Sequence, residues 1–314
     1  MRIANNSMLI RSRNQSPPDN EIWYYAPEQA TLYSETGVTS HTFSGGKGVI
    51  TYSSAVKDVP TTLREATTVT DVRFPATVTS IAAEAFNGCT SLALKKLPDG
   101  LTDIGNSAFL SCTNLALTEL PASLKKMGVH AFEGCSSLAL TSLPDGVTVI
   151  GQGAFADCSS LALTSLPDGV TNIGGFAFKN CKKIALTYLP EGLTGIPLHA
   201  FLGCDSLALT SLPDGVTTIG PLAFSGCTGL ALTVLPEGLT EISVNAFSKC
   251  TGLTSITFLG TPTTMSATVF NGCTNLLDIY VPWAEGDIAG APWGATNATV
   301  HYTGSGSGGT VTWA

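Results

Sequence analysis

The stretch LALTSLPDGVTVIGQGAFADCSS, Leu138 to Ser160, is one copy of a unit that the chain repeats almost without change in length. All nine cysteines fall at one spacing: Cys89, Cys112, Cys135, Cys158, Cys181, Cys204, Cys227, Cys250 and Cys273, each 23 residues after the last. Nine of the 13 phenylalanines, from Phe86 to Phe270, keep the same step three residues earlier. A fixed period of this size is the signature of a solenoid, in which one supersecondary unit stacks on its own copies.

Counting from each Cys as position 0, the apolar columns follow. Position +3 is Leu92 through Leu276, position +8 is Leu97 through Val281, and position +15 is Ile104 through Met265. Parallel pairing of one strand per rung sets neighbours ~4.8 Å apart, so eight or nine rungs span roughly 40 Å. Within the rung, LALTSL reads as a strand. Pro144-Asp145-Gly146 reads as a turn in which Pro fixes φ and Gly accepts a positive φ. Val147 and Ile150 form a second apolar pair, and GAFADC reads as a short helical or 3-10 turn that carries Phe155 inward. Burying each Phe contributes ~1.5–3 kcal/mol, which makes this column the expected spine of the core.

Composition narrows the function classes. Charged residues make up 12% of the 314 residues, about half the usual ~25%. The net charge of −8 argues against nucleic acid or an anionic membrane, which require clustered Lys and Arg. No apolar run approaches the ~18 residues of a membrane span, and the opening MRIANNSMLIRSRNQSPPDN lacks the continuous apolar core of a secretory signal. An odd number of cysteines at repeat spacing, without CxxC, reads as buried structural thiols rather than a disulfide framework or zinc site.

Outward from the array, the expected organisation is a flexible arm (1–20), a β cap with a degenerate first rung (21–68), the solenoid (69–282), a C-terminal cap (283–302) and a Gly/Ser tail (303–314). Gly45-Gly46 between two β-rich runs suggests a hairpin in the first cap. Ile50 and Tyr52, 22 residues before Val72 and Phe74, suggest the worn rung. Trp283 and Trp293 are placed to close the far end.

The unit LPDGVTxIGxxAFxxCxxL resembles the BspA-like leucine-rich repeat of bacterial surface proteins, over residues 69–302, with GKGVITY and IYVPW resembling its flanks. The resemblance implies a right-handed parallel β solenoid, display at the cell surface or outside the cell, and binding to host proteins, matrix or other cells. It brings no catalytic residue to carry over. The usual strand of that family places an apolar residue at +6, as Val72, Ile256 and Ile279 do. Seven rungs, from Leu94 to Leu232, place it at +5. A one-residue shift exchanges the faces of a strand, so a local bulge is expected there.

Chemistry is sparse. The carboxylates at +10 (Asp99, Asp145, Asp168, Glu191, Asp214, Glu237) offer one ligand per rung where calcium needs six to eight oxygens, and read as turn residues. His130 and His199 share a repeat position three rungs apart, ~14 Å by strand spacing, too far to share a metal. Ser44–Gly48 lacks the Ser/Thr of a phosphate loop. No catalytic, cofactor-binding or metal-ligating residue is nominated, and an enzyme is not expected. The candidate binding face is the pair of columns that the repeat leaves variable, +6 and +7: Lys95, Lys96, Thr118, Glu119, Thr141, Ser142, Thr187 and Tyr188, with Ser165, Ser211 and Val234. Extended faces of this kind are what solenoids use for binding. The leading expectation is a non-enzymatic adhesion module for a protein or glycan ligand on another cell or matrix. The rivals are a structural spacer or receptor-binding part of a virion, phage tail or secreted assembly, and a cytosolic scaffold.

Overall fold

In a computed structural model, which describes residues 15–34 and 36–304, the chain is a β solenoid of about 11 turns with parallel sheets and almost no helix. The regular strand of the rung is not LALTSL. It is the second apolar pair, the two residues at +14 and +15, which pair in parallel with the rung before and after. Val59, Ile81, Ile104 and Met127 form one register, Ile150 and Ile173 a second, and Ile196, Ile219, Ile242 and Met265 a third. The side chains of this column point into the core.

The reason lies in the one-residue shift. A pleated strand turns alternate residues inward. With Leu at +3, +5 and +8, the run ends in two consecutive outward residues, and the pleat fails. Where the apolar residue sits at +6, alternation with +8 is restored and strands form: Asp71–Arg73, Ser255–Phe258 and Asp278–Val281. The rung before Ser255–Phe258 contributes only Val234–Leu235. In the six rungs whose +6 and +7 residues run from Lys95 to Ser211, the +3 to +8 segment contains no strand. Its rungs are tied mainly through the Ala at +4, as in Ala139 N–H to the Leu117 carbonyl (3.2 Å) and Ala162 N–H to that of Leu140 (3.0 Å).

The opposite wall is a run of hydrogen-bonded turns rather than helix. The single 3-10 helix among the described residues is Thr61–Leu63 in the first cap. Two positions per rung explain this. At +18, Glu84, Ser107, His130, Gly153, Phe176, His199, Leu222 and Asn245 all have φ between 50° and 62°. At +22, Gly88 through Gly272, including Asp157, Asn180 and Lys249, are likewise left-handed. A left-handed residue every few positions stops a right-handed helix from propagating. These turns still hydrogen-bond between rungs, since the Phe N–H from Phe86 to Phe247 donates to the carbonyl at +19 of the next rung, for example Phe132 to Ala154 and Phe155 to Ala177, both 2.9 Å.

The PDG turn also differs from expectation. Val147 N–H donates to the Pro144 carbonyl (3.0 Å), and Gly146 is absent from the positive-φ positions. Gly serves here through its small size: a Cβ would sit 3.1 Å from the Leu124 carbonyl oxygen of the preceding rung.

Inside, the nine rings from Phe86 to Phe270 are fully buried and stack face to face, with centroids 5.2 to 5.8 Å apart and planes within 15°. Nine buried thiols run beside them, each unpaired.

The two ends are closed differently. Strands β1 (Glu21–Tyr25), β2 (Val38–Ser44) and β3 (Lys47–Tyr52) form an antiparallel cap in which β1 pairs with both β3 and Asp71–Arg73. The β2–β3 hairpin turns at Gly45 (φ 59°) and Gly46 (φ 79°), as the two glycines require. Because β1 lies between β3 and Asp71–Arg73, Ile50 and Tyr52 do not stack on Val72 and Phe74. The degenerate rung is carried instead by Val59, paired with Ile81, and by Leu63, whose carbonyl accepts the Cys89 thiol in the place of a Phe carbonyl. Of the arm expected over 1–20, residues 1–14 lie outside the described residues. Its last residues are tied to the cap, with Tyr52 N–H on the Asn20 carbonyl (2.8 Å) and Val56 N–H on that of Asp19 (2.7 Å).

At the far end, Thr299–Tyr302 adds a last parallel strand to Asp278–Val281. Trp283 and Trp293 are buried against each other and against Phe258, with centroids 5.2 to 6.3 Å apart. The tail from residue 305 lies outside the described residues.

Candidate interaction face

The eight candidate residues Lys95, Lys96, Thr118, Glu119, Thr141, Ser142, Thr187 and Tyr188 are all exposed. They lie on the wall whose pleat is broken, and the failure of alternation is what turns +6 and +7 outward together. They form two adjacent columns, one residue of each per rung. Thr164 and Thr210 complete the +6 column between Thr118 and Thr233, and both are exposed. The Ala column at +4, from Ala93 to Ala231, lies beside it at the surface. The Ala column is legible in the sequence as the A of LALT, but a column that never varies reads as core when only variability is used to find a surface.

Charge is confined to one end of the face. The Lys96 ammonium lies 2.9 Å from the Asp99 carboxylate, which holds it above the usual lysine range, with a further contribution from Glu119 in the next rung. Beyond Glu119 the three columns contain only Ala, Thr, Ser, Tyr188 and Val234. Tyr188 stands 47% exposed near the middle of this stretch. Beside Lys96 a cleft of about 420 Å³ opens, lined by Arg73, Phe74, Pro75, Lys96 and Asp99 and by the chain at Gln15–Pro17.

Two threonine columns differ in how their hydroxyls are used. At +13, on the strand wall, Thr102, Thr171, Thr217, Thr240 and Thr263 each donate to the carbonyl of the matching Thr one rung earlier, at 3.0 to 3.5 Å. At +6, the hydroxyls of Thr118, Thr141, Thr164, Thr187, Thr210 and Thr233 have no protein partner among the described residues. The backbone N–H groups at +7, from Lys96 to Ser211, likewise reach no other rung.

Other groups singled out in the sequence belong to the architecture. Each thiol donates to the carbonyl of the Phe one rung earlier, 2.9 to 3.1 Å away for Cys112 through Cys273. The same carbonyl accepts the Cys N–H of its own rung, so both its lone pairs are used. Burial pushes the Cys89 thiol up to about 12 and that of Cys273 up to about 11, and those between them are raised for the same reason. The +10 carboxylates are exposed turn residues. His130 lies over Gly153, where a Cβ would sit 2.3 Å from its Nδ1, and it pairs with Glu133. His199 packs on Phe176 with centroids 4.6 Å apart, and its imidazole is held below the usual range by burial and by Lys179. Trp23 and Tyr24 are buried in the cap, with the Lys47 ammonium 3.0 Å from the centre of the Trp23 ring. No helix among the described residues is long and apolar enough to cross a membrane.

Comparison with known proteins agrees with this architecture. The BspA type leucine rich repeat region matches residues 60–185 and 150–277, in six copies. Among curated proteins none matches. Among solved structures, a leucine rich repeat protein of T. pallidum is 36% identical, over 50% of this chain and 72% of its own, with a TM-score of 0.43. A leucine rich cell surface protein of Faecalibacterium prausnitzii is 24% identical over 90% and 97% of the two chains, with a TM-score of 0.45. The pneumococcal vaccine antigen PcpA is 18% identical over 85% and 77%, with a TM-score of 0.48. Repeats of this kind are generally non-enzymatic protein-interaction scaffolds. With its period, its thiol and phenylalanine columns and its matched repeats accounted for together, the chain belongs to the BspA-type leucine-rich repeat family.

Proposed function

We propose that this protein is an adhesion module that holds a protein or glycan on another cell or on extracellular matrix, with the wall bearing Lys95, Lys96, Thr118, Glu119, Thr141, Ser142, Thr187 and Tyr188 as its contact surface. One observation carries the reading. This wall presents two outward residues side by side in rung after rung, and they take no part in the core. A rigid face of that length loses little conformational entropy when it meets a partner. The similarity to a leucine rich cell surface protein supports a place outside the cell.

Retention of the purified protein on intact cells and on immobilised matrix proteins tests it. Saturable retention that falls when Thr141 and Tyr188 are both replaced by Glu supports the reading. Absence of retention on every cell and matrix surface tried sinks it, as does retention that the double replacement leaves unchanged.

A further inference from the structure

We infer that the array of Ala at +4 and Thr at +6, from Thr118 to Thr233, is a binding site for an extended, uncharged polyhydroxyl polymer, a neutral glycan strand. The inference rests on the adhesion reading and names its ligand class.

Four features converge on that chemistry. The Ala and Thr columns carry no charged side chain across six consecutive rungs, and the adjoining +7 column carries none after Glu119, so nothing here supplies the cationic attraction that selects an anionic polymer. Among the described residues the six threonine hydroxyls of the array have no protein partner, whereas at +13 the hydroxyls of Thr102, Thr171, Thr217, Thr240 and Thr263 are used between rungs and only those of Thr148 and Thr194 are not. Because the pleat is broken, the backbone N–H groups at +7 along the same wall are also left without a rung partner, adding donors beside the hydroxyls. The Ala methyls keep the floor between them low. The result is a row of donors and acceptors repeating at the rung spacing of ~4.8 Å over roughly 25 Å, which suits a polymer with hydroxyls along its length.

The fourth feature is Tyr188, the one aromatic ring of this stretch, standing exposed among the threonines. A sugar ring presents an apolar C–H face to such a platform and its hydroxyls to the flanking threonines. A protein partner fits less well, since protein hot spots draw on clustered Trp, Tyr and Arg, and this stretch has one Tyr and no Arg.

Native affinity electrophoresis through gels containing dextran, yeast mannan or hydroxyethyl cellulose tests the proposal, with hyaluronate as the anionic comparison. The expected result is retardation by at least one neutral polymer and none by hyaluronate. Tyr188→Ala weakens it about tenfold or more, the scale of losing one aromatic anchor, and Thr164→Lys in the centre of the array does the same. Thr171→Lys, on the strand wall, leaves it unchanged. Three results overturn the inference: no retardation by any of the three neutral polymers, retardation by hyaluronate alone, or retardation that neither Tyr188→Ala nor Thr164→Lys changes. Periodate treatment of cells that retain the protein separates the two levels of the argument. Retention that survives removal of surface sugars sinks the glycan assignment and keeps adhesion, whereas no retention on any untreated cell or matrix sinks adhesion itself.

Discussion

Each thiol of the array is held between its own rung and the carbonyl of the rung before it, and this decides how it behaves. Cys158 Sγ lies 3.0 Å from the Phe132 carbonyl, which also accepts the Cys135 N–H. Cys158→Ala therefore leaves no orphaned acceptor. It removes one buried hydrogen bond and a sulfur-sized volume, for a loss of about 1–2 kcal/mol, read as a lowered denaturation midpoint. The sequence identified the nine cysteines as buried filler. The donor role was hidden because a period fixes which residues stack but not which atom of one rung faces which atom of the next. Reactivity follows from the raised thiols. At pH 8 iodoacetamide is expected to leave the folded protein unlabelled over a time that modifies all nine in denaturant. On raising the pH, Cys273, pushed up only to about 11, reacts first. The same shifts set the pH dependence of stability. The folded thiols keep their protons above the ordinary value of 9.0 while unfolded ones ionise. Their contribution is thus full below about pH 9 and declines as pH rises toward 11 and 12. Denaturation midpoints at pH 7.5 and pH 10.5 check this; a midpoint that does not fall at the higher pH counts against thiols that stay protonated.

At the scale of the rung, the two left-handed positions matter most. Gly226, at +22, has φ 75°, and a Cβ there meets nothing nearer than 3.7 Å. Space is available, so Gly226→Ala is expected to cost about 1–2 kcal/mol from backbone strain alone. Lys249 occupies the equivalent position with φ 59°. Lys249→Gly relieves that strain against the smaller entropic cost of a glycine, for a gain of up to about 1 kcal/mol. Opposite signs from two substitutions at one repeat position, measured by chemical denaturation, would separate strain from packing. Equal signs would reject the account. The +22 column was legible as Gly, Asn and Asp in GC, NC and DC. The +18 column was not, because Glu84, Phe176 and Leu222 are poor markers of a left-handed backbone, and the rung-to-rung bonds of their amides are what hold them there. Strand placement shows the same limit. LALTSL has strand-like composition, yet the spacing of its leucines, at +3, +5 and +8, leaves no pleat. The exposed pair of columns at +6 and +7 is an outcome of that mismatch, and for that reason the columns were nameable from the sequence while the way they present themselves was not.

The whole molecule is a one-dimensional stack whose rungs contact only their neighbours, so its stability depends on how the ends are closed. The antiparallel cap at the N-terminal end is locked by Tyr24, whose hydroxyl accepts the Ala30 N–H (3.0 Å) and whose ring lies where any Cβ on Gly48 would fall, at 1.9 Å. The C-terminal end has no such sheet and relies on two indoles. Trp293 is fully buried, its carbonyl accepts the Phe270 N–H, and its ring packs with Trp283 over Phe258. It takes the position one 23-residue period after Phe270, but its ring packs on Phe258 and Trp283. Trp293→Ala leaves Phe270 and Phe258 facing a cavity or solvent, with an expected local cost of about 3–5 kcal/mol. In a nearest-neighbour stack that cost falls on the last interfaces and not on the array as a unit. Hydrogen exchange read by mass spectrometry is expected to show faster exchange in Ser255–Phe258, Asp278–Val281 and Thr299–Tyr302. The strand pairs from Ser80–Ile81 to Asn172–Ile173 should keep wild-type protection, and the Thr118–Thr187 face with them. Uniform loss of protection from one end to the other would mean that the solenoid folds as a single cooperative body, and that its end is not a separable lock.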